Sequence, residues 1–178
     1  MNNRADGMNR TSSTSRFVAL ITGVFLLLNV SSFQIRTALA AGAVEMQVER
    51  IITTAIDEYN GAMAAGDPSG WLKYFTDGVH RQGPQSTQDG KQAFSEYYQG
   101  EFKRFQARWA TKKIIVSGRS AAVVFEWDAV HKPSSTPVKV DMVAIFEMAS
   151  SGKFESVSFF FDTARLEKYF APGGAETE

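Results

Sequence analysis

The hydrophobic period of this chain changes once, and that change constrains the fold more than any other feature. Up to about residue 106, apolar side chains recur every three to four positions; beyond 107 they recur every two. Val44, Val48, Ile51, Ile52, Ala55, Tyr59 and Met63 mark one face of a helix over about 43–65, with Glu45, Glu49, Arg50 and Glu58 on its other faces. Gly66 suits the stop, and Asp67-Pro68 supplies a cap and a first-turn proline for a short second helix carrying Trp71, Leu72 and Phe75. A short strand over 79–83 and a polar loop over 84–90 follow. Asp89 is the expected cap of a third helix over 91–106, whose apolar repeat is Ala93, Phe94, Tyr97, Tyr98, Phe102 and Phe105. Strands are then expected at 114–116, 121–131, 138–148 and 154–161, with a short closing helix or extension over 162–170. Helices followed by a meander predict an α+β fold, the helices packed on one face of a curved antiparallel sheet. A bent sheet closed by a long helix leaves a conical cavity.

The first forty residues stand apart from this pattern. Arg4, Arg10 and Arg16 precede an uncharged, mostly apolar run over 17–30, and Ala38-Leu39-Ala40 has the small-x-small form of a signal-peptidase site. Residues 1–40 are expected to be a signal peptide, 41–170 the domain and 171–178 a mobile tail. An uncleaved anchor is the competing reading, although a run of 14 is shorter than the ~20 residues that comfortably span a bilayer. The whole chain balances 19 Lys+Arg against 19 Asp+Glu. Arg4, Arg10, Arg16, Arg36 and Asp6 leave with the signal, so the remainder carries a net charge of −3. No basic excess calls for nucleic acid. With no Cys there is no disulfide, thiolate nucleophile or Cys-ligated metal, and two histidines do not make a His-rich centre. No metal or cofactor is expected.

Several short stretches occur in a telling order: AMAAGDPSGWLKYFTDGV (62–79), Pro84, DGKQAFSEYY (89–98), Gly152-Lys153-Phe154 and Phe161-Asp162. In these the chain resembles the SnoaL-like, nuclear transport factor 2-like superfamily, which includes ketosteroid isomerases, polyketide cyclases and limonene epoxide hydrolases. The resemblance covers about 47–170. It implies a cone-shaped, cystatin-like fold and a homodimer formed through the outer sheet face, where Val143 and Ile145 offer apolar area. It does not fix an activity, because enzymes, binding modules and scaffolds share this fold. Carried over position by position, the hydrogen-bonding Tyr of the isomerases falls on Tyr59 and its supporting Tyr on Tyr98. A further network Tyr falls on Phe75, the general-base Asp on Gly83 and the oxyanion Asp on Ala144. Glycine and alanine handle no proton, so the usual isomerase mechanism is excluded.

The remaining polar residues give weaker candidates. Tyr59 and Tyr98 are expected as a hydrogen-bonded pair on the cavity wall, or as two core tyrosines. Counting from Pro84 turns Arg81 and Gly83 inward and His80 outward; a slip of one residue would exchange them. An inward Arg81 suits an anionic ligand, since guanidinium grips carboxylate in a fork. Alternation turns Asp141 outward, and Glu126 and Asp128 read as a solvated sheet face. His131 reads as a loop residue. Lys103, Arg104, Arg108, Lys112 and Lys113 form a basic cluster suited to solubility or to a docking patch. Trp71, Phe102, Trp127, Phe146 and Phe161 join Tyr59, Arg81 and Tyr98 as the expected pocket lining. The chain is therefore expected to be exported to the periplasm or secreted, to dimerise, and to bind a small, mainly apolar or weakly anionic molecule. Membrane contact is expected only if the N-terminal segment is retained. The competing expectations are a membrane-anchored interaction module, a carrier of hydrophobic ligands, and an acid/base isomerase, cyclase or hydrolase using Tyr59 with Asp141 or His80.

Overall fold

The computed structural model describes residues 42–166. The expected signal peptide and the tail from 171 onward lie outside the described residues. Among the described residues no helix is long and apolar enough to cross a bilayer.

Helix α1 spans 42–65. Its buried stripe is Val48, Ile52, Ala55, Ile56, Tyr59, Ala62 and Met63; of the repeat read from the sequence, Val44 is exposed and Ile51 only half-buried, while Ile56 and Ala62 are added. It ends at Gly66, whose φ of 75° is a conformation that a Cβ opposes. Helix α2 (Ser69–Leu72) buries Trp71. Strands β1 (Phe75–Gln82) and β2 (Thr87–Asp89) precede helix α3 (Gly90–Arg104). Strands β3 (Phe105–Ser117), β4 (Ser120–His131), β5 (Thr136–Met148) and β6 (Phe154–Phe161) complete the sheet, and a 3-10 turn covers Thr163–Arg165.

The strand order is β2-β1-β6-β5-β4-β3. Neighbours are antiparallel except β1 and β6, which run parallel. On β4 and β5 burial alternates without a break. Ala121, Val123, Phe125, Trp127 and Ala129 face inward, as do Val138, Val140, Met142, Ala144, Phe146 and Met148. The register shifts between Phe75 and His80, between Thr111 and Lys113, and between Glu147 and Met148. Such irregularities bend a sheet and increase its twist. The result is the expected α+β architecture, an unclosed curved sheet packed against N-terminal helices.

Strand β3 is an edge, and edges expose unpaired backbone groups. Helix α1 covers this one. The Trp109 N–H donates to Asn60 Oδ1 at 2.8 Å, and Asn60 Nδ2 donates weakly back to the Trp109 carbonyl at 3.4 Å. One side chain thereby stands in for a missing strand.

Several boundaries depart from the sequence expectation. The third helix stops at Arg104, and Phe105 opens β3, with its ring against Trp127 at 4.9 Å and His131 at 5.2 Å. The strand expected at 114–116 is thirteen residues long. Its first half buries Phe105, Ala107 and Trp109 in alternation directly after a helix, with no turn residue to separate the two periods. Phe75 opens β1 rather than closing α2, and the 84–90 loop contains β2. Asp89 precedes α3 but its side chain caps nothing there. It pairs with His80 across the β1–β2 ladder, where its carboxylate meets His80 Nδ1 at 2.6 Å.

Candidate functional site

The inner face of the sheet and the two long helices enclose a core of aromatic rings. Trp71 sits at its base, fully buried, edge-on to Tyr59 at 5.4 Å, Phe75 at 4.8 Å, Tyr98 at 5.9 Å and Trp109 at 5.5 Å. Nearer the mouth is a cavity of about 30 Å³ walled by Tyr98, Glu101, Trp109, Trp127 and Phe159. That is room for roughly two waters. A second cavity, of about 240 Å³, lies further out among Gly83, Pro84, Gln85, Ser86, Gln88 and Arg104. Arg81, Tyr97 and Phe161 line both and form the partition between them.

Glu101 is the polar centre of the inner cavity. It lies on α3 one turn beyond Tyr98 and is 8% exposed. The Tyr59 hydroxyl donates to Glu101 Oε1 at 2.6 Å, and Trp127 Nε1 lies 3.5 Å from the same hydroxyl. Burial pushes the Glu101 carboxyl above its ordinary range. The Tyr59 hydrogen bond, the charges of Arg81 and Arg104 and the Tyr97 hydroxyl oppose that rise in part. Burial, reinforced by Glu101, holds the Tyr59 phenol well above the usual tyrosine value. Tyr97 and Tyr98 are raised as well, again mainly by burial. The pair gives the cavity wall a carboxyl held partly back from ionising and, behind it, a phenol that keeps its proton.

Arg81 enters from β1, its side chain turned inward as the Pro84 count expects, and is 5% exposed. Its guanidinium lies 3.7 Å over the Tyr97 ring and 5.0 Å over Phe159. Nη1 donates to Gln88 Oε1 at 2.8 Å and, more weakly, to the Ser86 carbonyl at 3.5 Å. A Cβ built on Gly83 would sit 3.0 Å from Nη1 and 3.2 Å from Nη2. The position where the resemblance puts a general-base carboxylate is thus bare, and a guanidinium lies against it.

The other sequence candidates fall in three places. Tyr98, Trp127 and Phe161 line the inner cavity with Arg81. Tyr59 stands one layer behind it, reaching it through Glu101 and Trp127, while Trp71, Phe102 and Phe146 pack in the core. His80 and Asp141 lie outside: His80 is paired with Asp89, and Asp141 is ion-paired with Lys112 on the outer face. Neither is brought to Tyr59. Glu126 and Asp128 bracket Lys139 at 3.3 and 3.4 Å, and Arg108 approaches Asp128 at 3.5 Å, so the expected solvated face is an ion-pair lattice.

Two expectations need correction. The Tyr59 hydroxyl does not reach Tyr98; their rings meet edge-on at 6.3 Å, and the hydrogen bond goes to Glu101. His131 is not a loop residue. It ends β4, 3% exposed, with Nδ1 2.8 Å from Ser134 Oγ, and burial and the Arg104 charge lower its pKa. Glu101 itself was absent from the sequence candidates. Its signal was there: it falls three residues after Tyr98 and seven after Phe94, inside the apolar stripe of α3.

The fold is found in many solved structures. A SnoaL-like protein from Jannaschia sp. CCS1 superimposes with a TM-score of 0.60 at 17% identity, over 72% of this chain and 95% of that one. The epoxide hydrolase/cyclase-like enzyme SalBIII of salinomycin pyran-ring formation gives 0.59 at 20%, over 68% and 95%. A ketosteroid isomerase-like fold from Catenulispora acidiphila, solved with trimethylamine, gives 0.57 at 12%, over 70% and 97%. No curated protein matches the chain. The SnoaL-like domain model matches residues 56–157, more than half of the sequence and nearly every element that builds the two cavities. The chain belongs to the SnoaL-like domain family.

Proposed function

We propose that this chain is an exported protein that takes a small, mainly apolar molecule into the space between α1, α3 and the sheet. The observation that carries the reading is the buried Tyr59–Glu101 hydrogen bond at 2.6 Å beside a cavity walled mostly by aromatic rings. A core built only for stability has little use for a carboxyl at such depth. The inner cavity is small, so a guest enters by displacing the Arg81, Tyr97 and Phe161 partition and joining the two spaces. Where chemistry follows binding, Glu101 with Tyr59 replaces the Asp141 or His80 of the sequence reading as its acid/base pair.

A screen of small aromatic and alicyclic compounds by ligand-observed NMR is expected to give hits with the native chain. Trp127→Ala, which reshapes the wall, and Tyr59→Phe, which removes the donor to Glu101, are each expected to weaken hits by about 5- to 50-fold. Affinities unchanged in both variants would remove the cavity as the binding place.

The outer sheet face supports dimerisation as part of the same proposal. Ile115, Ala122 and Ile145 follow one another across β3, β4 and β5, and the adjoining row holds Val124, Val143 and Phe160. Ile115, Ile145 and Phe160 are exposed. Export rests on Arg4, Arg10 and Arg16, the apolar run 17–30 and Ala38-Leu39-Ala40. Native mass spectrometry of protein from its own envelope is expected to show a dimer lacking residues 1–40, and Ile145→Asp to give monomers. An intact N-terminus would favour the anchored interaction module, to which the narrowness of the inner cavity also lends support.

A further inference from the structure

Arg81 is a buried cation that forms no ion pair with a described residue; the buried Glu101 carboxyl feels its charge across the inner cavity without bonding to it. Among the described residues no carboxylate lies within ion-pair distance. Its partners are neutral: an amide oxygen, a distant carbonyl and two aromatic faces. Nε is buried and has no hydrogen-bond partner. A guanidinium offers five N–H donors in a planar fork, and the edge made by Nε and Nη2 is the one that grips a carboxylate with two parallel bonds. That edge is unused here. Desolvating a charge without a paired counter-charge is costly, and cation–π contacts and the unpaired Glu101 charge offset only part of it. Such an arrangement makes sense when the missing anion arrives with a ligand.

The surroundings are consistent with an incoming anion. The outer cavity of about 240 Å³ borders Arg81 and Arg104 and otherwise presents glycine, proline, neutral polar side chains and the rings of Tyr97 and Phe161. Among the described residues no Asp or Glu lines it. Gly83, lacking a side chain, leaves the ends of the guanidinium uncovered on that side.

We propose that Arg81 anchors an anion subsite in the outer cavity, and that the guest is a carboxylic acid on an apolar or aromatic body. This rests on the small-molecule reading above and narrows it to a ligand class. The carboxylate pairs with Arg81, and the apolar body lies against Tyr97 and Phe161 toward the inner cavity.

The test compares cinnamate with cinnamamide, which share a body and differ in charge, by titration calorimetry on the mature chain. Cinnamate is expected to bind at least about tenfold more tightly. Arg81→Gln should bring the two within about twofold. Gly83→Asp tests the same point from the other side. It places a carboxylate beside the guanidinium, where only flexible side-chain atoms must give way. It should erase the preference for cinnamate while leaving the melting temperature undiminished. Equal affinity of the native chain for acid and amide would overturn the anion subsite and leave the cavity reading standing. A preference that survives both substitutions would also overturn it. Binding of neither compound at millimolar concentration would overturn this inference; the cavity reading falls only if the wider screen is empty too.

Discussion

Trp71→Ala is expected to destabilise the domain by about 3–5 kcal/mol, the range for emptying a fully packed aromatic site. Trp71 has no exposed surface and touches Tyr59, Phe75, Tyr98, Trp109 and Phe146 ring to ring. These neighbours come from α1, β1, α3, β3 and β5, so collapse around the void would need five elements to shift together. For a domain of this size the loss corresponds to roughly 10–20 °C in melting temperature. Thermal unfolding followed by near-ultraviolet circular dichroism reads it directly. A drop of less than about 1 kcal/mol would mean that the ring cluster is not the keystone of the core.

Glu101→Gln should change how stability depends on pH. Burial raises the Glu101 pKa in the folded state, so the folded chain keeps this proton after the unfolded chain has lost its own. The native protein therefore loses stability as pH rises from the unfolded glutamate value of about 4.3 through the higher folded value. Glutamine keeps the shape and an oxygen that accepts the Tyr59 hydroxyl, but it does not titrate. Below pH 4 the two proteins should agree within about 1 kcal/mol. Above that the variant should pull ahead and then hold a constant lead. His131, whose pKa is lowered, removes stability as pH falls below about 6.5, in both proteins equally. Urea melts from pH 4 to 8 measure the difference; parallel curves would show that Glu101 ionises as easily folded as unfolded. Any acid/base turnover the chain performs should be lost in the same variant.

The periodic parts of the molecule were legible because burial repeats. The stripe of α1, the inner faces of β4 and β5 and the inward turn of Arg81 all follow from counting by four or by two. What was hidden lay where one period ran straight into another. Arg104 passes to Phe105 with neither glycine nor proline between them, and an apolar residue there serves a helix as well as a strand. Glu101 was hidden for another reason. A glutamate on a helix is ordinarily solvated, so its place within the Phe94–Tyr98 stripe carried little weight against its charge. Pairing Tyr59 with Tyr98 erred by one helical turn, because both rings face the same interior and a carboxyl one turn further along α3 takes the hydroxyl instead.

The Asn60 contact at the rim of the sheet has a consequence for the hydroxyl beside it in sequence. By fastening α1 to the outermost strand through both backbone groups of one residue, it sets the angle at which the helix is rolled. Tyr59, the preceding residue, inherits its aim from that setting. A substitution at Asn60 touches no guest and lines no cavity, yet it would let the helix rotate and carry the phenol away from the carboxyl. The Tyr59–Glu101 contact at the centre of this domain is thus set from its periphery.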